Sequence, residues 1–136
     1  MNPEILLIIK LLFLIILPSF FLFLGLGIGV NRLESFFARR QYGELAKRYG
    51  ALVEGEQPLF GSAMLFISAR IGSRPLRVES LQGGTSYVSM NGVMTPVRSL
   101  MTRVSLGAEE RFFGWYMTSA RKRRKVEAAI EELLKK

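Results

Sequence analysis

The carboxylates come in close pairs, Glu54 with Glu56 and Glu109 with Glu110, and every acid in the chain is a glutamate. Two neighbouring carboxylates are what acid–base hydrolysis uses, provided one of them sits in a cleft that raises its pKa. The flanking residues give no sign of such a cleft, so both pairs read as solvated loops. Gly83-Gly84-Thr85-Ser86 has the composition of a phosphate loop but lacks the GxxxxGK[ST] spacing and its lysine, and reads as a turn. His, Cys and Asp are absent altogether. That excludes cysteine and histidine nucleophiles, Ser-His-Asp triads, His- or Cys-ligated metals, attached haem and iron–sulfur clusters within this chain. Serine and lysine remain, but no S-x-x-K motif is read among them, so no Ser-Lys nucleophile is expected. The expectation is a chain with no catalytic residue, no metal and no cofactor.

The chemistry left is recognition. Arg121, Lys122, Arg123, Arg124 and Lys125 are consecutive and follow an aromatic cluster of Phe112, Phe113, Trp115 and Tyr116. Five cations close to an anionic membrane surface contribute ~1 kcal/mol each, and the same set would suit the acidic face of a partner protein. The competing reading makes the aromatics core and the cations a solvated helix start. Nucleic acid is disfavoured: the run is brief, residues 51–110 are charge-neutral, and no helix-turn-helix, RRM or zinc-finger pattern accompanies it.

What positions these residues is the stretch Leu11 to Val30, LLFLIILPSFFLFLGLGIGV, which carries no charge. Twenty helical residues cover ~30 Å, the hydrocarbon thickness of a bilayer. A lone apolar segment in lipid must satisfy its backbone internally, so it is helical, and the chain reads as a single-pass membrane protein. Pro18 removes one backbone donor mid-span and is expected to kink the helix. Lys10 lies within a snorkel of the headgroups. Gly25 and Gly29 form a small-xxx-small pair that lets a second helix approach, either a copy of this chain or another subunit. A cleaved signal peptide fits poorly, because the first nine residues hold no basic side chain and the apolar core is long.

The net charge of +8 is uneven. Residues 1–30 and 51–110 are neutral, residues 31–50 carry five basic and two acidic side chains, and residues 111–136 carry eight and three. Arg32, Arg39, Arg40, Lys47 and Arg48 lie close to the end of the span, where the positive-inside rule counts them, and only Lys10 opposes them. The expected location is the inner (cytoplasmic) membrane, with the N-terminus outside and the C-terminal domain in the cytoplasm. The lack of cysteine agrees with a reducing compartment.

Beyond the span, Asn31 to Tyr49 reads as a helix stopped by Gly50. Leu33, Phe36 and Phe37 share one side of it, while Tyr42, Leu45, Ala46 and Tyr49 lie roughly opposite at 100° per residue. Phe36 and Phe37 beside Arg39 and Arg40 suit the membrane–water boundary. Strands are expected at Ala51–Glu54, Ser62–Ile71, Leu76–Gln82, Thr85–Met90, Val93–Arg98 and Leu100–Leu106, grouped as a sheet of about five. Ala63, Leu65, Ile67, Ala69 and Ile71 fall on one face, as do Leu76 and Val78, with Arg77 and Glu79 outward. Gly72 to Pro75 and Gly83-Gly84 read as turns. Asn91-Gly92 is a strong hairpin signal, and Pro96 implies an edge or a bulge. Val126 to Lys136 reads as an amphipathic helix.

The chain is thus expected to be α+β: an anchor at 1–30, a juxtamembrane amphipathic helix at 31–50, an antiparallel β domain at 51–106, and an aromatic and basic segment with a C-terminal helix at 107–136. This plan is common among bacterial membrane accessory proteins. The functional expectation is a non-catalytic accessory subunit that stabilises a larger membrane complex, of the kind respiratory and photosynthetic assemblies collect. Its partners are the lipid bilayer and other membrane subunits, or a second copy. The alternative is a freestanding anchored module that docks on anionic lipid or a cytoplasmic partner.

Overall fold

The computed structural model describes residues 2–59 and 61–136. Its elements are α1 (Pro3–Tyr49), β1 (Val53–Glu56), β2 (Met64–Ile71), β3 (Arg74–Met90), β4 (Val93–Leu106), β5 (Glu109–Phe113) and α2 (Ala120–Leu134).

The anchor and the juxtamembrane helix are one element. Helix α1 starts at Asn2, whose side chain accepts the Glu4 N–H at 3.1 Å, with Pro3 in the first turn where its missing donor costs nothing. It runs through Pro18 and on for 47 residues, ~70 Å at 1.5 Å per residue. Gly50 ends it in the left-handed conformation, φ 66°, a geometry glycine adopts without strain. The two faces expected after the span are both present. Ser35, Ala38, Tyr42, Leu45 and Ala46 are buried, whereas Leu33, Phe36 and Phe37 are exposed on the other side.

The sheet is antiparallel with strand order β1-β2-β3-β4-β5. Its alternation follows the sequence closely where one face is apolar: Ala63, Leu65, Ile67, Leu76, Val78, Val104 and Leu106 point into the core. The end of α1 and one side of α2 cover that face, through Tyr42 and Leu45 from α1 and Val126, Ala129, Ile130 and Leu133 from α2. The result is two layers, helices on a sheet, with the second face of the sheet open. At Gly55, φ is 144° and a Cβ would collide with the Met64 carbonyl, so β1 approaches β2 more closely than any side chain allows.

Four features differ from the sequence reading. Gly83-Gly84 is no turn. Strand β3 continues across it with a shift of register between Gln82 and Thr85, a bulge that glycine permits. Strands expected separately at 93–98 and 100–106 are one strand, β4, so β3 and β4 form a single long hairpin. Its turn is Asn91-Gly92, both with positive φ as the twist of a two-residue hairpin demands. Pairing also continues past Leu106: β5 falls in the aromatic segment and pairs with β4 from Leu106↔Glu109 to Thr102↔Phe113. Finally, α2 begins at Ala120 rather than Val126 and takes the whole basic run into its first turns. Pro96 sits where β4 pairs with β3 alone, an edge position.

Glu79 is also not solvated. It projects from the open face, yet only 8% of it is accessible, because Arg77 and Arg103 both pair with it and Arg77 also lies 4.4 Å over the Phe66 ring. Across the sheet the register aligns Glu54, Phe66, Glu79, Arg103 and Phe112 in one row.

Tyr42 is the largest buried side chain of α1, and its hydroxyl has no hydrogen-bond partner among the described residues. The hydroxyls of Ser80 and Thr102 are nearby; they donate to the Leu65 carbonyl at 3.1 Å and the Trp115 carbonyl at 2.7 Å, and each keeps a lone pair that a small rotation of the Tyr42 hydroxyl would reach. A buried hydroxyl without a partner costs stability. Tyr42→Phe is expected to change stability by no more than about 1.5 kcal/mol, whereas Thr102→Ala, which strands the Trp115 carbonyl, is expected to lower it by about 1–3 kcal/mol. Thermal unfolding of the two variants in detergent checks the contrast.

Candidate membrane-facing surface

From Ile5 to Val30 nothing in the chain covers α1. Every large apolar side chain there except the half-buried Ile28 is exposed, and none of the most apolar window is buried. This is a helix long and apolar enough to cross a membrane, and it is no core helix of this domain. Gly25 and Gly29 are equally bare, with no atom within 4 Å of where a Cβ would stand. At 100° per residue they lie on the side of α1 opposite Tyr42 and Leu45, in line with Leu33, Phe36 and Arg40. Phe36 and Phe37 are exposed with rings edge to face at 5.8 Å, and Arg39 and Arg40 are exposed beside them.

The domain meets α1 just past the span. Ser62 donates to the Glu34 carboxylate at 2.7 Å, and the Ala63 N–H reaches the Ser35 hydroxyl at 2.8 Å. Around them lies a cleft of about 510 Å³ whose walls include Asn31, Glu34, Ser62, Gln82, Leu100 and Tyr116. The sequence reading missed it, because its walls come from α1, the start of β2 and the loop before it, the middles of β3 and β4, and the segment after β5.

The two helices run in the same direction. Near its start α2 places Arg123 against Gln41 at 2.9 Å, and further on Arg48 bonds Glu127 at 2.9 Å and Glu131 at 2.7 Å. The basic end of α2 therefore faces the span, while its acids face away and are paired. Within the run the roles divide. Arg123 is tied to Gln41 and Glu127, and Lys122 donates to the Tyr116 carbonyl and lies over the Trp115 ring. Arg121, Arg124 and Lys125 are exposed and make no ion pair among the described residues. Cations in a helix's first turn oppose its dipole by about 0.3–1 kcal/mol, and α2 has no acid there to offset them. Helix stability therefore gives no reason for the run. Gln41 lies ten residues beyond Asn31, ~15 Å along the axis, so these cations stand one to two Debye lengths from the end of the span. Arg32, Arg39 and Arg40 are nearer.

The aromatic cluster does not form one surface. Tyr116 is 4% exposed and donates to the Ala63 carbonyl at 2.6 Å. Phe113 and Trp115 stack at 4.7 Å against the core. Phe112 alone of the four is well exposed, at 51%, on the open face of the sheet.

Burial raises the pKa of the Tyr42 phenol, and that of Tyr116 up to about 12. An unfolded phenol titrates near ~10, so the folded state holds these protons more tightly. Their contribution is complete below about pH 10 and is lost as pH rises through the folded values. The melting temperature is expected to fall only above about pH 10 on this account, and a titration of thermal unfolding checks it.

The glutamate pairs are exposed but lie in strands rather than loops, Glu54 and Glu56 in β1 and Glu109 and Glu110 in β5. Glu79 borders a hollow of about 280 Å³ shared with Glu56, but its carboxylate is held by two guanidinium groups. Ser119 and Lys122 do stand in S-x-x-K spacing, which the sequence reading passed over. In the structure the Ser119 hydroxyl caps α2, accepting the Lys122 N–H at 3.3 Å, and the lysine amine reaches Tyr116 and Thr118 instead. No group of acids able to hold a metal ion occurs among the described residues. No family model, curated protein or solved structure matches this chain.

Proposed function

We propose that this chain is a single-pass protein of the inner membrane with its domain in the cytoplasm. We propose further that it is a non-catalytic accessory subunit of a larger membrane complex, such as a respiratory or photosynthetic assembly. The observation that carries this reading is the bare face of α1 turned away from the domain. Because the helix is continuous, Gly25, Gly29, Leu33 and Phe36 share that side, so a partner helix seated on the glycines would continue past the membrane boundary without meeting the β-sheet. The open face of the sheet, with Phe66 and Phe112 flanking the Glu79–Arg103 pair, offers the partner's soluble part a second contact. The unbroken helix through residues 25–35 also supports retention of the anchor, since it presents no extended segment for a signal protease. Native mass after mild detergent extraction tests the proposal. Co-migration with a large defined complex, lost in Gly25→Leu/Gly29→Leu, is the expected result; a monomer or dimer would overturn it.

A second reading has its own observation: three cations without an ion pair among the described residues, gathered at the span-facing end of α2 against its dipole. On that reading the domain docks on anionic lipid. Arg121→Glu/Arg124→Glu/Lys125→Glu leaves the internal bonds of Lys122 and Arg123 intact. It is expected to abolish the preference for anionic over zwitterionic vesicles in co-flotation; an unchanged preference at low salt would sink the reading.

A further inference from the structure

We propose that the end of the β3–β4 hairpin, residues 83–100, is a second membrane contact, resting its tip in the boundary between headgroups and acyl chains on the side where the domain lies. The inference rests on reading α1 as a membrane span.

Direction comes from the topology. Strand β3 begins at Arg74, which bonds the Leu133 carbonyl at the far end of α2. It reaches Gln82, which lines the same cleft as Asn31, the first residue after the span. Leu100 of β4 lines that cleft too. Beyond this level β2 no longer pairs with β3, and β5 no longer pairs with β4. The two strands continue alone for six further pairs, Thr85↔Arg98 to Met90↔Val93, ~20 Å of ribbon heading the way α1 enters the membrane.

Composition agrees. From Ser80 to Val97 there is no Lys, Arg or Glu, the longest such run outside the span itself. Tyr87, Val93 and Met94 are 63%, 64% and 62% exposed. An isolated two-stranded ribbon is marginal in water, and an exposed apolar tip makes it worse. A bilayer surface removes that cost, and a tyrosine with an apolar body and polar tip suits the boundary. Leu59, in the loop before β2 and next to Pro58 of the same cleft wall, is exposed as well. Depth is bounded by the backbone. Both edges of the ribbon carry unpaired N–H and C=O groups, each costing several kcal/mol in hydrocarbon, so the tip stops at the boundary. From Tyr87 to Met94 the tip carries no charge, the nearest being Arg98 at the base of the ribbon, so its insertion does not require anionic lipid. That separates it from docking by the basic end of α2.

The chain lacks cysteine, so single labels are clean. Met94→Cys, Leu14→Cys and Ala108→Cys, each carrying an environment-sensitive fluorophore, are compared in the full chain reconstituted into phosphatidylcholine vesicles. Ala108 is exposed in the turn between β4 and β5, at the far end of the sheet. The expected result for Met94→Cys is blue-shifted emission, loss of iodide quenching relative to Ala108→Cys, and stronger quenching by a spin label high on the acyl chain than by one near its end. For Leu14→Cys the expected result is quenching by the lipid-borne labels and protection from iodide. If Leu14→Cys behaves so while Met94→Cys is quenched by iodide like Ala108→Cys, the hairpin contact is overturned and the span stands. If Leu14→Cys is itself iodide-accessible, the span reading falls and takes the hairpin contact with it.

Discussion

Phe20→Arg/Phe21→Arg is expected to move the protein out of the carbonate-resistant membrane fraction. Both residues lie at the middle of the Leu11–Val30 stretch and are exposed in the structure, at 59% and 60%. Each arginine at a helix centre costs ~2.5–3.5 kcal/mol and each lost phenylalanine ~0.3–0.6 kcal/mol, so together the change is about 6–8 kcal/mol, or four to six powers of ten in partition. The matched control is Phe36→Arg/Phe37→Arg, past the span beside Arg39 and Arg40. It is expected to leave the protein in the pellet, because those positions lie where cations are tolerated. Retention of the first variant would show that lipid is not what covers α1.

The second large effect is expected at Ile130→Ala. This side chain is fully buried between α2 and the sheet, and truncation in such a site costs about 2–5 kcal/mol through lost burial and the cavity left behind. A small domain has only about 5–15 kcal/mol in total, so the melting temperature should fall by many degrees. Leu134→Ala, one turn further on, removes a side chain 39% exposed and should fall by much less. Equal effects at the two positions would mean that α2 does not pack by the face described. The test matters for function, because both proposed lipid contacts depend on this packing: α2 aims its basic end by it, and β3 takes its direction from Arg74 held at the end of α2.

How legible the molecule was in its sequence depended on whether a local pattern or a distant neighbour decided each element. The apolar span, the Gly50 stop, the two faces of α1 and the inward set from Ala63 to Val78 follow from periodicity and from glycine's backbone freedom, so they could be read directly. Gly83-Gly84 could not. A glycine pair permits either a turn or a bulge, and only the long register between β3 and β4 chooses the bulge. Phe112 and Phe113 looked like a surface cluster because their alternation is short; pairing with β4 turns one outward and one onto Trp115. Glu79 followed the alternation to the open face but found two arginines across the strands. The basic run was plain in the sequence, but its internal division was not. Arg123 and Lys122 are committed by contacts with Gln41 and Tyr116, distant in sequence and near in space. The Ser119–Lys122 spacing carried no chemistry for the same reason: the helix cap and a neighbouring carbonyl already use both groups. The uncharged run from Ser80 to Val97 was visible all along, but its meaning needed the direction of β3.

The central claim is that α1 crosses the membrane and holds the domain at its cytoplasmic face. The most direct measurement is labelling of single cysteines, Asn2→Cys at one end and Ala108→Cys at the other, with a membrane-impermeant maleimide in intact cells. The account predicts that Asn2→Cys is labelled from outside and Ala108→Cys only after the membrane is permeabilised. Labelling of Ala108→Cys in intact cells, or of neither position before permeabilisation, would contradict it.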